Sequence, residues 1–103
     1  TFGGGPLVAA AAEYVLGRVG DPALLAHVRA VGGYMRGALG ALAERTGRVR
    51  AVRGAGLMWG VDTHEPAGAV VERARDAGLL VLTAGEHTLR LLPPLVVTEA
   101  ELA

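Results

Sequence analysis

Residues 79–102, with the sequence LLVLTAGEHTLRLLPPLVVTEAEL, constrain the fold more than any other part of the chain. Two apolar runs flank a polar turn at residues 84–87, and each run has the composition of a β-strand. Pro93 and Pro94 end the second strand, since neither proline can donate a hydrogen bond to a β-ladder. The segment therefore predicts two strands, the first at residues 79–82, joined by a short turn that reverses the direction of the chain.

Arg90 is the one charged residue within the second of these strands. Side chains alternate along a strand, so Leu89 and Leu91 share one face while Arg90 lies on the other. A guanidinium remains charged and its parallel N–H donors fit a carboxylate, which makes Arg90 a candidate clamp for a carboxylate substrate. The alternative is an edge-strand arginine that is solvated or paired for structural reasons. The spacing alone favours this structural alternative.

The rest of the chain alternates between helical and strand patterns. Asp21 and Pro22 are typical of a helix start, and Gly47 and Gly78 are typical of helix ends. Helices are predicted at residues 6–19, 22–46 and 66–77, and short strands at 48–53 and 57–62, with residues 54–56 as the corner between these strands. Together the patterns predict an α/β fold of the α+β type. Its sheet is three- to four-stranded and mainly antiparallel, with helices on one face.

The long second helix contains four glycines. Each glycine weakens a helix by about 1 kcal/mol relative to alanine, so tertiary packing has to hold this helix together. The four glycines are Gly32, Gly33, Gly37 and Gly40.

Composition excludes several classes of function. Ten basic and ten acidic residues give 103 residues a formal charge of zero, which predicts no nucleic-acid partner. The chain has no cysteine and no apolar run long enough to span a bilayer, so we expect no membrane association and a cytoplasmic location. All ten basic residues are arginine. Chemistry that requires a lysine amine must therefore come from elsewhere.

The two ends of the chain suggest a fragment of a longer protein. Residues 1–6, TFGGGP, form a glycine-rich entry to the first helix, where backbone N–H groups and the helix dipole could hold a phosphate. Such loops also occur as plain turns, and the spacing alone favours the plain turn. At the other end, Thr98 and Glu101 form a capping box for a helix of only a few residues. The three histidines have no metal-ligand spacing, so no metal site is predicted.

Four segments in this order resemble the C-terminal part of the class III, pyridoxal-phosphate-dependent aminotransferases. They are TFGGGP, VRGAGLMWGV, AGLLVLTAG and LRLLPPLVVTEAEL, and the similarity covers nearly all of the 103 residues. The resemblance implies a homodimer with shared active sites. It also implies that residues 1–20 end the large cofactor domain and that residues 21–103 form the small C-terminal α/β domain, truncated at its last helix.

The resemblance implies roles for two residues. Thr1 matches a family threonine that reaches across the dimer to the phosphate of the partner's pyridoxal phosphate. Arg90 matches the family arginine that binds the α-carboxylate of the substrate, which favours the clamp hypothesis. Gly5 departs from the family pattern, where an asparagine is usual. The family's cofactor-binding lysine lies upstream of this segment, so no catalytic residue is expected in the chain and the chain alone should be inactive.

The strongest resemblance is to the branch of the family that transfers the amino group of N-acetylornithine to 2-oxoglutarate, a step of arginine biosynthesis. Ornithine, 4-aminobutyrate and an acetyl-lysine-type intermediate remain alternative donors, because the residues that choose between donors lie largely outside this segment. An alternative from a different class is a non-catalytic α/β module that binds a partner chain or a second copy of itself.

Overall fold

The computed structural model describes residues 3–103. In chain order the elements are α1 (Pro6–Val19), α2 (Pro22–Thr46), β1 (Val49–Ala55), β2 (Met58–Thr63), α3 (Ala67–Asp76), β3 (Leu82–Thr83), β4 (Thr88–Leu91) and α4 (Glu99–Leu102). The strands form one sheet in the order β1-β2-β4-β3, and every neighbouring pair is antiparallel. This confirms the predicted α/β fold with an antiparallel sheet. The sheet has four strands.

The helix boundaries follow local chemistry. α2 begins where the Asp21 carboxylate accepts a hydrogen bond from the Ala23 backbone N–H at 2.8 Å, and it ends at Gly47, whose φ of 61° is left-handed. α4 begins with the predicted capping box: the Thr98 hydroxyl accepts from the Glu101 N–H, and the Glu101 carboxylate accepts from the Thr98 N–H. These boundaries agree with the sequence predictions.

The turn of the β1–β2 hairpin differs from the prediction. Residues 54–56 were expected to form the corner, but Gly54 belongs to β1 and pairs with Trp59, while Gly56 and Leu57 make the turn. Gly56 has a φ of 55° at the first central position, as a type II′ hairpin turn requires. β1 is therefore one residue longer than expected, and β2 has its expected length but begins one residue later. The glycine at position 54 leaves room for the Trp59 side chain next to it.

The strand expected at residues 79–82 is shorter in the structure and lies later in the chain. β3 contains only Leu82 and Thr83, which pair with Arg90 and Leu89 of β4. The chain ahead of it leaves α3 through Gly78, which has a φ of 85°, and runs exposed through Leu79 and Leu80. A short edge strand of this kind offers little backbone for pairing with another chain.

The core lies between the sheet and the helices. One cluster joins Val31 and Met35 of α2 to Trp59 of β2, and a second joins Ala67 of α3 to Val61 and Leu89. All the sheet residues in these clusters point to the same face, so α2 and α3 cover one side of the sheet as predicted. α1 contacts α2 but buries none of its residues. No helix of the described part of the chain is long and apolar enough to cross a membrane.

Candidate functional site

The candidate site lies on the face of the sheet that the helices leave open. Strand pairing places Arg53 of β1 opposite Gly60 of β2, and Gly60 opposite Arg90 of β4. The two arginines are thus two strand spacings apart, about 10 Å between Cα atoms. Since Gly60 has no side chain, the row between them is open and forms the floor of a groove of about 490 Å³, with Arg53, Thr88 and Arg90 at its sides.

Arg53 has its charge compensated within the groove. It forms an ion pair with Asp62 Oδ2, and its Nη2 lies 3.4 Å from the Thr88 hydroxyl. The Thr88 hydroxyl in turn donates to Asp62 Oδ1 at 2.6 Å. These three residues come from β1, β2 and β4 and form a closed hydrogen-bonded triangle, which we call the Asp62 triangle. Each carboxylate oxygen of Asp62 therefore already has a partner.

Arg90 differs from Arg53 in this respect. Its neighbours across the ladder are Gly60 and Leu82, neither of which can accept a side-chain hydrogen bond. Within residues 3–103 the Arg90 guanidinium makes no hydrogen bond or ion pair, and the residue is exposed, as the alternation along β4 predicted. An exposed guanidinium without an internal counter-ion is free to bind an external carboxylate.

Comparison with known proteins identifies the family of the chain. The model of the family described as Aminotransferase class-III matches residues 1–103, which is the whole chain. The chain belongs to the class III aminotransferases. The resemblance inferred from its motifs is thereby confirmed.

Relatives of this class III aminotransferase chain include acetylornithine aminotransferases and an ornithine aminotransferase. The mitochondrial acetylornithine aminotransferase of Candida glabrata is 41% identical over 100 residues, covering 96% of this chain and 23% of the relative. The crystal structure of acetylornithine aminotransferase from Elizabethkingia anophelis matches with a TM-score of 0.89 and 33% identity, covering 99% of this chain and 28% of that one. The ornithine aminotransferase of Toxoplasma gondii ME49 matches with a TM-score of 0.85 and 30% identity, covering 98% and 25%. The chain spans about a quarter of the length of the relatives it matches.

The phosphate-binding role predicted for Thr1 lies outside the described residues of this aminotransferase chain. The loop that follows it is described: Gly4 has a φ of 87°, and Gly5, at the N-cap of α1, has no side chain that could cap the first N–H groups of the helix. The first turn of α1 contains no acidic residue, so the positive end of the helix dipole is not neutralised there. These features fit a phosphate group. The chain contains no lysine to bind the rest of a pyridoxal phosphate.

Sequence reasoning missed two features of the aminotransferase chain. The first is the set of specific partners of Arg53 described above, for which the β1 sequence gave no sign. The second is the contact of His27, whose Nε2 donates to the Val97 carbonyl oxygen at 2.9 Å and joins α2 to the C-terminal segment. Both contacts join residues distant in sequence, so spacing along the chain gave no signal of them.

The Asp62 triangle predicts a dependence of stability on pH in this aminotransferase chain. The Thr88 hydrogen bond and then the Arg53 pair hold the pKa of the Asp62 carboxyl below its ordinary value. Because the folded-state pKa is below the unfolded one, the contribution is present above about pH 4 and is lost as the pH falls through the folded-state pKa. We expect the free energy of unfolding to decrease on acidification below about pH 4, and to decrease less in Asp62→Asn. Urea unfolding across a pH series measures this.

A matched control accounts for the loss of one carboxyl. Asp76→Asn removes an acidic group at the end of α3 whose side chain makes no hydrogen bond within the described residues. Glu65 retains its own contribution in both variants, because its hydrogen bond from Arg73 also lowers the pKa of that carboxyl. An acid dependence in Asp62→Asn that matches the parent would contradict the prediction.

Proposed function

We propose that this chain is the C-terminal part of a pyridoxal-phosphate-dependent aminotransferase that transfers an amino group from N-acetylornithine to 2-oxoglutarate. The observation that carries the proposal is Arg90, an uncompensated guanidinium on the open face of the sheet, in a chain of the class III family. Acetylornithine and 2-oxoglutarate both carry an α-carboxylate. A guanidinium can hold such a group through two parallel N–H···O bonds, which fixes its orientation as well as its position.

Arg90 acts in this proposal as the substrate-binding group. The leucines on either side of it in the sequence face the core, since Leu89 is buried and Leu91 packs against both core clusters. The β4 backbone is hydrogen-bonded on both edges, to β2 and to β3. The guanidinium is therefore anchored on a rigid, central strand, so binding a carboxylate there requires no ordering of the backbone.

The chain holds the cofactor, in this proposal, only through its phosphate. Thr1 and the N-H groups at the start of α1 would bind the phosphate of the cofactor in the partner subunit, as the family resemblance implies. When bound, pyridoxal phosphate supplies the electron sink for reversible transfer of the amino group. The chain contributes two binding groups and no proton-transferring group. It follows that the lysine and the contacts to the cofactor ring belong to the remainder of the protein.

The assembly, domain and location predictions accompany this proposal. We propose a homodimer, with residues 1–20 ending the large domain and residues 21–103 forming the small one. α1 exposes apolar side chains, which include Leu7 and Leu16, and this supports assigning the helix to the large domain. The proposed location is the cytoplasm, although two relatives are named as mitochondrial.

Ornithine is the second candidate donor. The match to an ornithine aminotransferase, at a TM-score of 0.85, favours it specifically. The non-catalytic module considered from the sequence receives no support from the comparisons, because the family match extends over the whole chain.

A comparison of the complete enzyme with the 103-residue chain tests the proposal. Both are assayed with pyridoxal phosphate, 2-oxoglutarate and each of three donors: N-acetylornithine, ornithine and 4-aminobutyrate. We expect the complete enzyme to show its highest kcat/KM with N-acetylornithine. The isolated chain should show no turnover with any donor, because it has no lysine. Turnover by the isolated chain, or a preference for another donor, would contradict the respective part of the proposal.

A further inference from the structure

Gly60 lies in the middle of the groove that contains Arg90. It belongs to β2, a central strand, and it pairs with Arg53 of β1 on one side and with Arg90 of β4 on the other. The three residues therefore form one row across the sheet, with their side-chain positions on the same face. Because Gly60 has no side chain, only backbone lies between the two arginines along this row.

Neither the backbone nor the packing within residues 3–103 requires glycine at position 60. The φ of Gly60 is not left-handed. A Cβ at Gly60 would lie 3.4 Å from the Thr88 methyl carbon and 3.6 Å from Cγ of Arg53, which are ordinary van der Waals distances. Gly54 on the neighbouring strand is different, because a Cβ there would overlap the carbonyl oxygen of Met58. A Cβ at position 60 therefore fits the chain, whereas one at position 54 does not.

Glycine inside a strand needs a compensating reason. It adds no side-chain packing, and it loses more conformational freedom on folding than any other residue. Such glycines mark bulges, tight bends or places that a ligand or another backbone approaches closely. Gly60 is paired in regular register on both edges, so a bulge or a bend does not account for it. Close approach of another group is the reason that fits its position.

We propose that Gly60 is the floor of the subsite for the substrate carboxylate, where the absence of a side chain gives the carboxylate room to lie against β2 beside the Arg90 guanidinium. This inference rests on the proposed function, in which Arg90 binds that carboxylate. Gly60 contributes space and no hydrogen bond, since the backbone of β2 is used in pairing with β1 and β4. It determines which group fits next to Arg90 and takes no part in the transfer step.

A side chain at position 60 would project into this space. Side chains of a strand stand out from the sheet, and Thr88 and the stem of Arg53 already bound the groove of about 490 Å³ next to this position. The methyl groups of a valine would crowd a carboxylate there and would remove water from it without donating a hydrogen bond. Valine is also a better strand former than glycine, so it should not weaken β2 itself.

Gly60→Val in the complete enzyme tests this inference. We expect the KM for 2-oxoglutarate to rise about tenfold with little change in kcat, because the substitution crowds the bound carboxylate and leaves the transfer step intact. The thermal unfolding midpoint should not fall. Ala51→Val is the matched control, since it places a valine at an exposed position of β1 outside the groove. It should leave KM unchanged.

Combining Gly60→Val with Arg90→Gln shows whether both residues act on the same group. Once Arg90 no longer holds the carboxylate, Gly60→Val should lower kcat/KM for 2-oxoglutarate by less than about threefold. A tenfold loss in both backgrounds overturns the inference, because position 60 would then act independently of Arg90, as it would if another part of the protein packed against it.

Two further outcomes overturn the inference. One is an unchanged KM in Gly60→Val, and the other is a raised KM accompanied by a lower unfolding midpoint, which indicates a structural role. If Gly60→Val does not fold, Gly60→Ala decides in its place. A KM raised more than about twofold at an unchanged midpoint supports the inference, and any other result overturns it.

Arg90→Gln alone distinguishes failure of this inference from failure of the proposed function. If Arg90→Gln leaves the KM for 2-oxoglutarate unchanged, the substrate-binding role of Arg90 is wrong and the role of Gly60 fails with it. If Arg90→Gln raises KM while Gly60→Val does not, the proposed function stands and only the role of Gly60 is wrong.

Discussion

Arg90→Gln in the complete enzyme is expected to lower kcat/KM for 2-oxoglutarate by about two to three orders of magnitude, the usual cost of removing one member of a desolvated charge pair. The effect should appear mainly in KM, because Arg90 holds the carboxylate and takes no part in proton transfer. Arg90→Lys keeps the charge but loses the forked donor geometry, so an intermediate loss is expected. Steady-state kinetics with varied 2-oxoglutarate give kcat and KM for the parental enzyme, Arg90→Gln and Arg90→Lys.

Arg75→Gln is the control for the loss of one surface arginine. Arg75 lies in the last turn of α3 and makes no side-chain hydrogen bond or ion pair within residues 3–103. Its replacement should leave kcat/KM unchanged. If Arg90→Gln and Arg75→Gln have equal kcat/KM values, Arg90 does not bind the substrate and the proposed function loses its main support.

The helix boundaries and the outward direction of Arg90 could be predicted because local chemistry determines them. Asp21 caps α2, Gly47 ends it in a left-handed conformation, and Thr98 begins α4, all through contacts within a few residues. The direction of Arg90 follows from alternation along a single strand. Such signals need no knowledge of which strands pair.

The Asp62 triangle could not be predicted because it depends on strand register. Arg53, Asp62 and Thr88 meet only when β2 lies between β1 and β4 with Asp62 directly opposite Thr88. A shift of one residue in the pairing would direct the side chains to the other face. The hairpin turn shows the same limit, because two glycines lie close together there and the turn forms at only one of them. Strand register, which pairs Gly54 with Trp59, places the turn at Gly56 and Leu57.

The glycines of α2 have unequal roles that composition does not distinguish. All four were predicted to weaken the helix. In the fold, a Cβ at Gly32 would lie 2.5 Å from the Gly56 carbonyl oxygen, while a Cβ at Gly33 would have no atom within 4 Å. Gly32 therefore allows α2 to approach the β1–β2 turn closely. The same Gly56 oxygen accepts a hydrogen bond from the Trp59 indole at 2.9 Å, so helix, turn and core meet at this point.

Gly32→Ala is accordingly expected to destabilise the chain by about 2–3 kcal/mol. The added methyl group would overlap backbone atoms of Gly56, which cannot easily move aside. The neighbouring Gly33→Ala is the matched control and should stabilise the chain by about 0.5–1 kcal/mol, because alanine is the better helix former where space is open. Urea unfolding followed by the fluorescence of Trp59, the single tryptophan, measures both free energies of unfolding. Equal free energies for the two variants would mean that α2 does not approach Gly56 as closely as this fold requires.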